Sequence, residues 1–443
     1  MHQDWSGTRA SRSRGEQPPL RVSTVRDDTT TSPDRQRPFA SARGPNAQAA
    51  ALARESRPHS LYIHVPFCSH KCHYCDFYSF VDSRGRQGVF ASRLEREIRA
   101  LAPSAGEIRT IFVGGGTPSL LEVPLWEGLL SGMHESLDLS PILAGTGEFT
   151  VECNPESVTP ELAGALALGG VTRISMGAQS FQPGHLKTLE RWHDPERVAR
   201  AVEFVRGAGI RRVSLDLIYG IPGQTLDDLS RDLDRALALP IEHLSCYELT
   251  YEPNTAMTKR LERGEFERCP EELEIEMFEL VGERTARAGL ERYEVSNYAR
   301  PGAECRHNLA YWRQEQWLAA GPSASAHVAG HRYKNVPRLE SYLEGDDAGF
   351  AEIVDHEGPD PVRLIQEKLM TGLRLAEGVD GEGLLRELAS IDERAADRLD
   401  HEASMQSHLG RLIRGESRWT LTGEGLLLAD GIAGGLMVAV AGG

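Results

Sequence analysis

Three of the seven cysteines, Cys68, Cys72 and Cys75, stand in the spacing C-x3-C-x2-C. Thiolates are soft ligands, and three so close together can hold a metal ion or a metal–sulfur cluster. Zinc needs four tetrahedral ligands, a set that His70 or His73 would have to complete, and a second paired set downstream, usual for structural zinc, does not follow. An iron–sulfur cluster normally takes four thiolates, so three leave one iron of a four-iron cluster open, and an open iron is a substrate site. Two positions after Cys75 stands Phe77, which offers hydrophobic cover rather than a fourth ligand. Cys153, Cys246 and Cys269 match no ligand spacing and read as packed thiols.

The elements that must position these thiols are short apolar runs, each followed by a stretch of helical spacing. Strands are predicted at Leu61–Pro66, Thr110–Val113, Glu148–Cys153, Arg173–Gly177, Val213–Tyr219 and His243–Thr250. Helices are predicted between them at Phe90–Leu101, Pro124–His134, Pro160–Leu168, Pro195–Ala208 and Leu226–Leu237, several opened by proline or an acid. This is an α/β chain with parallel strands and crossover helices, and six units are too few for an eight-unit closed barrel. The thiols fall in the loop after the first strand, where such folds place their chemistry. Period two puts Tyr62 and His64 on one strand face. Gly114-Gly115-Gly116-Thr117 lets backbone approach a ligand without a Walker lysine, and Glu152 at a strand's carboxyl end is placed to accept ribose hydroxyls. After a long helix at Glu271–Ala288, residues Arg292 to Tyr333 read as irregular, and from Pro361 a small helical or winged-helix domain is predicted. Residues 1–57, rich in Arg, Ser, Thr and Pro, read as a disordered extension.

The chain has 443 residues and a net charge of −16, which argues against nucleic acid as a partner. The longest uncharged apolar run, Gly431 to Gly443, is too short and too glycine-rich to span a membrane. With no apolar leader and unevenly distributed cysteines, the cytoplasm is the expected compartment.

The run Cys68-Ser69-His70-Lys71-Cys72-His73-Tyr74-Cys75-Asp76-Phe77 resembles the signature of the radical S-adenosylmethionine (SAM) superfamily, and residues 58 to 430 resemble its coproporphyrinogen oxidase-like branch. The resemblance implies a partial (β/α)6 barrel with a small C-terminal helical, winged-helix-like domain. It implies a [4Fe–4S] cluster on Cys68, Cys72 and Cys75, and SAM chelating the open iron, whose reductive cleavage yields a 5′-deoxyadenosyl radical. It places SAM contacts on Tyr62, Tyr74, Gly115, Gly116, Thr117, Glu152, Gln179, Arg191 and Asp216. The expected organisation is 1–57 extension, 58–290 radical SAM core, 291–345 connecting segment and 346–443 C-terminal domain.

Within that branch, the oxygen-independent oxidase decarboxylates two propionates of coproporphyrinogen III and carries a fourth cysteine at the position of Phe77. The haem chaperones carry phenylalanine there and an HNxxYW motif, intact here as His307-Asn308-Leu309-Ala310-Tyr311-Trp312. His307 offers an imidazole to haem iron, and Tyr311 and Trp312 offer flat apolar surface to a porphyrin. Cys305 is open as a second donor, a covalent attachment point or a packed thiol. The expectation is a haem chaperone that binds a [4Fe–4S] cluster, SAM and haem, with His307 in the haem site, and passes haem to an acceptor protein. The oxidase is the alternative, and a non-redox SAM- or zinc-binding regulator the second.

Overall fold

The structure, a computed structural model, describes residues 45–345 and 349–442, and side chains from residue 51. Six strands lie side by side and parallel: β1 (Ser60–Val65), β2 (Thr110–Gly115), β3 (Glu148–Cys153), β4 (Arg173–Gln179), β5 (Arg212–Tyr219) and β6 (His243–Glu248). Tyr62 sits opposite Phe112, Phe112 opposite Thr150, Thr150 opposite Arg173, and Arg173 opposite Arg212. Crossover helices Gln87–Leu101, Val123–Ser136, Pro160–Leu168, Pro195–Gly207 and Leu226–Leu237 join them, as parallel pairing requires. Their starts are written locally: Thr159 accepts from the Leu162 amide, Asp194 from the Glu196 amide, and Thr225 forms a capping box with Asp228. Helix Gln87–Leu101 buries Phe90, Leu94, Ile98 and Leu101, one stripe at helical spacing.

Alternation along the strands sorts two environments. Leu61, Ile63 and Val65 of β1, Ile111 and Val113 of β2, Phe149 and Val151 of β3, Ile174 and Met176 of β4, and Val213 and Leu215 of β5 join the core beneath the helices. The opposite face carries Tyr62, His64, Phe112, Glu152, Arg173, Ser175, Asp216, His243 and Ser245, which line a cavity. An ordinary eight-stranded barrel fills its interior with branched apolar side chains. This interior is open and mixes charged and polar side chains with aromatic ones.

The stretch expected to be irregular, Arg292 to Tyr333, instead extends the sheet at both edges. The hairpin of β7 (Glu291–Glu294) and β8 (Asn297–Ala299) pairs antiparallel with β6, and β9 (Trp317–Ala320) lies parallel to β1. Then β10 (Ser325–Val328), β11 (His331–Asn335) and β12 (Ile353–Glu357) follow antiparallel, giving twelve strands in the order β12-β11-β10-β9-β1-β2-β3-β4-β5-β6-β8-β7. These strands are short and find their pairing on the edges of the parallel sheet, so no periodic run announces them. Between β8 and β9 lies the helix Arg306–Trp312. The expectation for 1–57 falls outside the described residues up to residue 44; Pro45–Ser56 forms a helix whose Ala53 is packed into the core, because it docks on the barrel.

The C-terminal region has a core of its own, with Leu369, Leu399, Trp419 and Leu436 at its centre. Helices Pro361–Gly372, Gly381–Ala389, Glu393–His408 and Ala429–Ala441 pack with a small antiparallel sheet of β13 (Val379–Asp380), β14 (Leu412–Arg414) and β15 (Arg418–Leu421). This agrees with the helical domain expected there. Among the described residues no helix is long and apolar enough to cross a membrane.

Candidate functional site

The interior holds two adjoining chambers that share Asp76, Phe77, Gly115, Glu152, Ser175, Asp216 and Tyr247 as a common wall. The outer one, about 500 Å³, lies at the carboxyl ends of the strands and is lined by Cys68, Cys72 and Cys75 together with Tyr74, Gly116, Thr117, Gln179 and Arg191. Each thiol has a donor beside it. Thr117 Oγ1 lies 3.6 Å from Cys68 Sγ, Arg191 Nη1 lies 3.8 Å from Cys72 Sγ, and Lys71 Nζ lies 4.0 Å from Cys75 Sγ. Hydrogen bonds and cations around sulfur stabilise thiolates and set the potential of a cluster they hold, so this donor set fits a thiolate-bound iron–sulfur cluster. Among the described residues no three His, Cys, Asp or Glu side chains converge as ligands of a single ion. Phe77, 63% exposed, lines both chambers rather than covering the thiols.

The glycine loop approaches its neighbours as closely as its sequence predicts. A Cβ on Gly116 would meet the carbonyl oxygens of Phe67 and Val65 at 2.6 and 2.7 Å. Gly115 has φ +103°, and its amide donates to Glu152 Oε2 at 3.1 Å. Burial, and next the charge of Asp216, push the Glu152 carboxyl up to about 7, against the Gly115 amide and Arg173. Asp216 accepts from Ser175 Oγ at 3.3 Å and is also raised, by burial above all. Arg191 donates to the Gly177 carbonyl at 2.9 Å, which fixes its side chain along β4. Cys153, Cys246 and Cys269 are all buried in the core.

The inner chamber, about 560 Å³, extends from Phe77 and Tyr78 to the amino-terminal side of the strands, where the helix Arg306–Trp312 closes it. His307 is 1% exposed, and burial pushes its imidazole down to about 3, so it is neutral. Thr110 Oγ1 donates its one proton to Ser60 Oγ at 2.9 Å and lies 2.8 Å from His307 Nδ1, which assigns the imidazole N–H to Nδ1, donating to Thr110. That assignment leaves a lone pair on Nε2, which has no hydrogen-bond partner. Tyr311, one turn further, edges the imidazole at 4.7 Å between ring centroids, and Phe112 stacks on it at 5.5 Å. Trp312 does not share this chamber. It lines a separate groove with Lys368, Leu375 and Glu377, under the guanidinium of Arg374. Cys305 lines the inner chamber, but its thiol donates to Glu148 Oε1 at 3.4 Å and burial pushes it up to about 12, the state of a packed thiol.

Of the residues expected around SAM, Tyr62 alone lies only in the inner chamber. His64 is neutral, held down to about 4 by burial; its Nε2 donates to the Tyr78 carbonyl at 2.8 Å, so Nδ1 accepts the Tyr62 hydroxyl at 3.1 Å. Sequence reasoning missed Lys71, Asn154 and Glu252 in the outer chamber and Arg173, His243 and Lys334 in the inner one. The signal for Arg173 and His243 was available: each starts a strand and falls on the inward phase of its alternation.

Thiols in the first β/α loop of a half-open parallel barrel define a radical SAM protein, and residues 62–236 match the radical SAM superfamily. The chain belongs to the HemW family within that superfamily. It is 36% identical to the haem chaperone HemW of Mycobacterium tuberculosis over 85% of this chain and 94% of that one. To HemW of Bacillus subtilis it is 34% identical over 85% of this chain and 99% of that one, and to HemW of Escherichia coli 39% identical over 61% and 70%. Its fold is similar to that of coproporphyrinogen III oxidase (HemN) from Escherichia coli, with a TM-score of 0.75 and 21% identity over 88% of this chain and 93% of that chain. Membership of the superfamily implies a [4Fe–4S] cluster and SAM.

Proposed function

We propose that this chain is a haem chaperone that takes haem into the inner chamber through His307 and passes it to an acceptor protein. The observation that carries this reading is the Nε2 lone pair of His307, buried, without a partner, with the opposite ring nitrogen locked by Thr110. Imidazoles that ligate a metal typically donate their other N–H to a fixed acceptor in this way. Tyr311, Phe112 and Tyr62 add flat aromatic surface around it. The names of the relatives, haem chaperones at 34–39% identity, point the same way.

In this reading Cys68, Cys72 and Cys75 hold the cluster, and Tyr74, Gly115, Gly116, Thr117, Glu152, Gln179, Arg191 and Asp216 surround SAM, with Tyr62 on the haem side. Together the cluster and SAM supply one-electron chemistry. Seven unpaired cysteines and a net charge of −16 support work in the reducing cytoplasm with a protein acceptor rather than nucleic acid. The oxidase remains the second reading, because a chamber beside a SAM site also suits a porphyrinogen substrate.

The test is a haem titration of the reconstituted full chain alongside a decarboxylation assay on coproporphyrinogen III. His307→Ala is expected to shift the Soret band and weaken haem at least tenfold, a loss of one metal–ligand contact worth about 1.4 kcal/mol or more. Sustained carbon dioxide release by the wild type replaces the chaperone reading with the oxidase. Identical haem spectra for wild type and His307→Ala remove His307 from the site.

A further inference from the structure

Arg173 opens β4 and points into the inner chamber, yet it is only 2% exposed. Among the described residues its guanidinium has neither a hydrogen bond nor an ion pair; the groups around it, Cys305, Glu148, Tyr293 and Asp216, act on it only across space. The nearby acids have other close partners, although Glu148 Oε2 accepts no hydrogen bond. Glu148 Oε1 accepts from Cys305 Sγ at 3.4 Å and from the His307 amide at 3.3 Å, and its Oε2 lies 3.8 Å from Arg212. Asp216 takes the Ser175 hydroxyl. A buried guanidinium cannot shed its proton, and leaving it unpaired is costly, so such a group is kept where something else brings the anion.

The strand register says where that anion lies. Arg173 stands opposite Thr150, two residues nearer the amino-terminal side than Glu152, and His307 is bonded to Thr110 at the first residue of β2. The acids Glu152 and Asp216 therefore flank the carboxyl end of the chamber, while a cation and an unprotonated imidazole nitrogen face the other. A planar carboxylate matches the guanidinium fork, which gives two charge-assisted hydrogen bonds from one residue.

We propose that the inner chamber grips its ligand by a carboxylate held on Arg173, beside the free Nε2 of His307. The inference rests on the haem reading and deepens it: the carboxylate is a haem propionate, and Arg173 sets which edge of the porphyrin enters first.

The experiment compares ferric protoporphyrin IX with its iron dimethyl ester, which keeps the metal and ring but has no free carboxylate, by Soret titration of the reconstituted full chain. Wild type is expected to bind the ester about tenfold more weakly than haem, and Arg173→Met to lower haem affinity to that of the ester while changing ester affinity less than about twofold. Arg173→Lys, which keeps the charge and loses the fork, falls between. Equal wild-type affinity for the two porphyrins overturns the inference while leaving haem binding and His307 intact, and needs no variant to fold. A folded Arg173→Met that loses both porphyrins equally overturns it too, because that is the result of a structural role. A wild type that binds neither porphyrin overturns the haem reading and this inference with it.

Discussion

Glu152 is one of the side chains that face both chambers, and its ionisation has a sign that can be measured. Its carboxyl lies at about 7 in the fold against 4.5 unfolded, raised first by burial and then by Asp216. A carboxyl raised by folding favours the fold while protonated, so its contribution is full below about pH 4.5 and is lost as pH climbs through 7, up to about 3 kcal/mol for such a shift. Melting temperature measured from pH 5 to 8 is therefore expected to fall less steeply in Glu152→Gln than in wild type; equal slopes refute the assignment. The same variant is expected to weaken SAM by about 1.5–3 kcal/mol, read by calorimetry, while leaving the cluster in place. At the thiols, alanine at Cys68, Cys72 or Cys75 is expected to remove the brown chromophore and most iron, and serine at Cys153 or Cys246 to retain it, since those thiols are buried in the core. Full iron retention in the Cys68/Cys72/Cys75 triple variant ends the cluster assignment. The thiols were legible because ligand spacing is a local property of a sequence. Arg173 was legible only as an inward-facing strand residue, because its lack of a partner is a property of everything folded around it.

Among the elements, the helix Arg306–Trp312 was the least legible and matters most. Seven residues give too little periodicity to register between two short strands. Once it is a helix, the motif divides as helical geometry demands: His307 and Tyr311, four apart, share a face, while Trp312, about 100° further round, turns to the C-terminal region. The flat surface expected from both aromatics comes from Tyr311 alone, joined by Phe112 and Tyr62 from strands whose alternation was readable. Thr110 makes the helix exact in its chemistry by fixing the His307 tautomer. Thr110→Val keeps the shape, removes the acceptor, and lets the proton move to Nε2, where it abolishes the lone pair. Haem affinity is expected to drop about tenfold with iron content unchanged, because a buried N–H without a partner costs about 1–3 kcal/mol. Unaltered haem affinity in Thr110→Val means that the tautomer does not matter to the ligand.

For the whole molecule, the parallel barrel and the C-terminal domain were both legible, since each has long helices at regular spacing, but their joint was not. Arg313 pairs with Glu377 at 3.0 Å, Gln314 donates to Thr371 at 3.1 Å, and the Val295 amide donates to the Arg374 carbonyl at 3.1 Å, so the C-terminal domain braces the floor of the inner chamber from outside. With floor and outer wall fixed, the two chambers can influence each other chiefly through the acids Asp76, Glu152 and Asp216, which face both. Haem is anionic through its carboxylates, and these acids repel it when ionised. SAM carries a sulfonium and an ammonium against one carboxylate, a net positive charge, and placing it against the shared wall offsets that repulsion. Saturating SAM is thus expected to raise haem affinity by about fivefold or more, the lower end of ordinary coupling between sites, and haem must raise SAM affinity by the same factor. Calorimetry of each ligand with and without the other reads both arms. Because Glu152→Gln removes one of these charges, it is expected to shrink the coupling while raising haem affinity in the absence of SAM. Affinities that ignore the other ligand altogether, in wild type at pH 8 where Glu152 is ionised, mean that the shared wall separates the two sites rather than linking them.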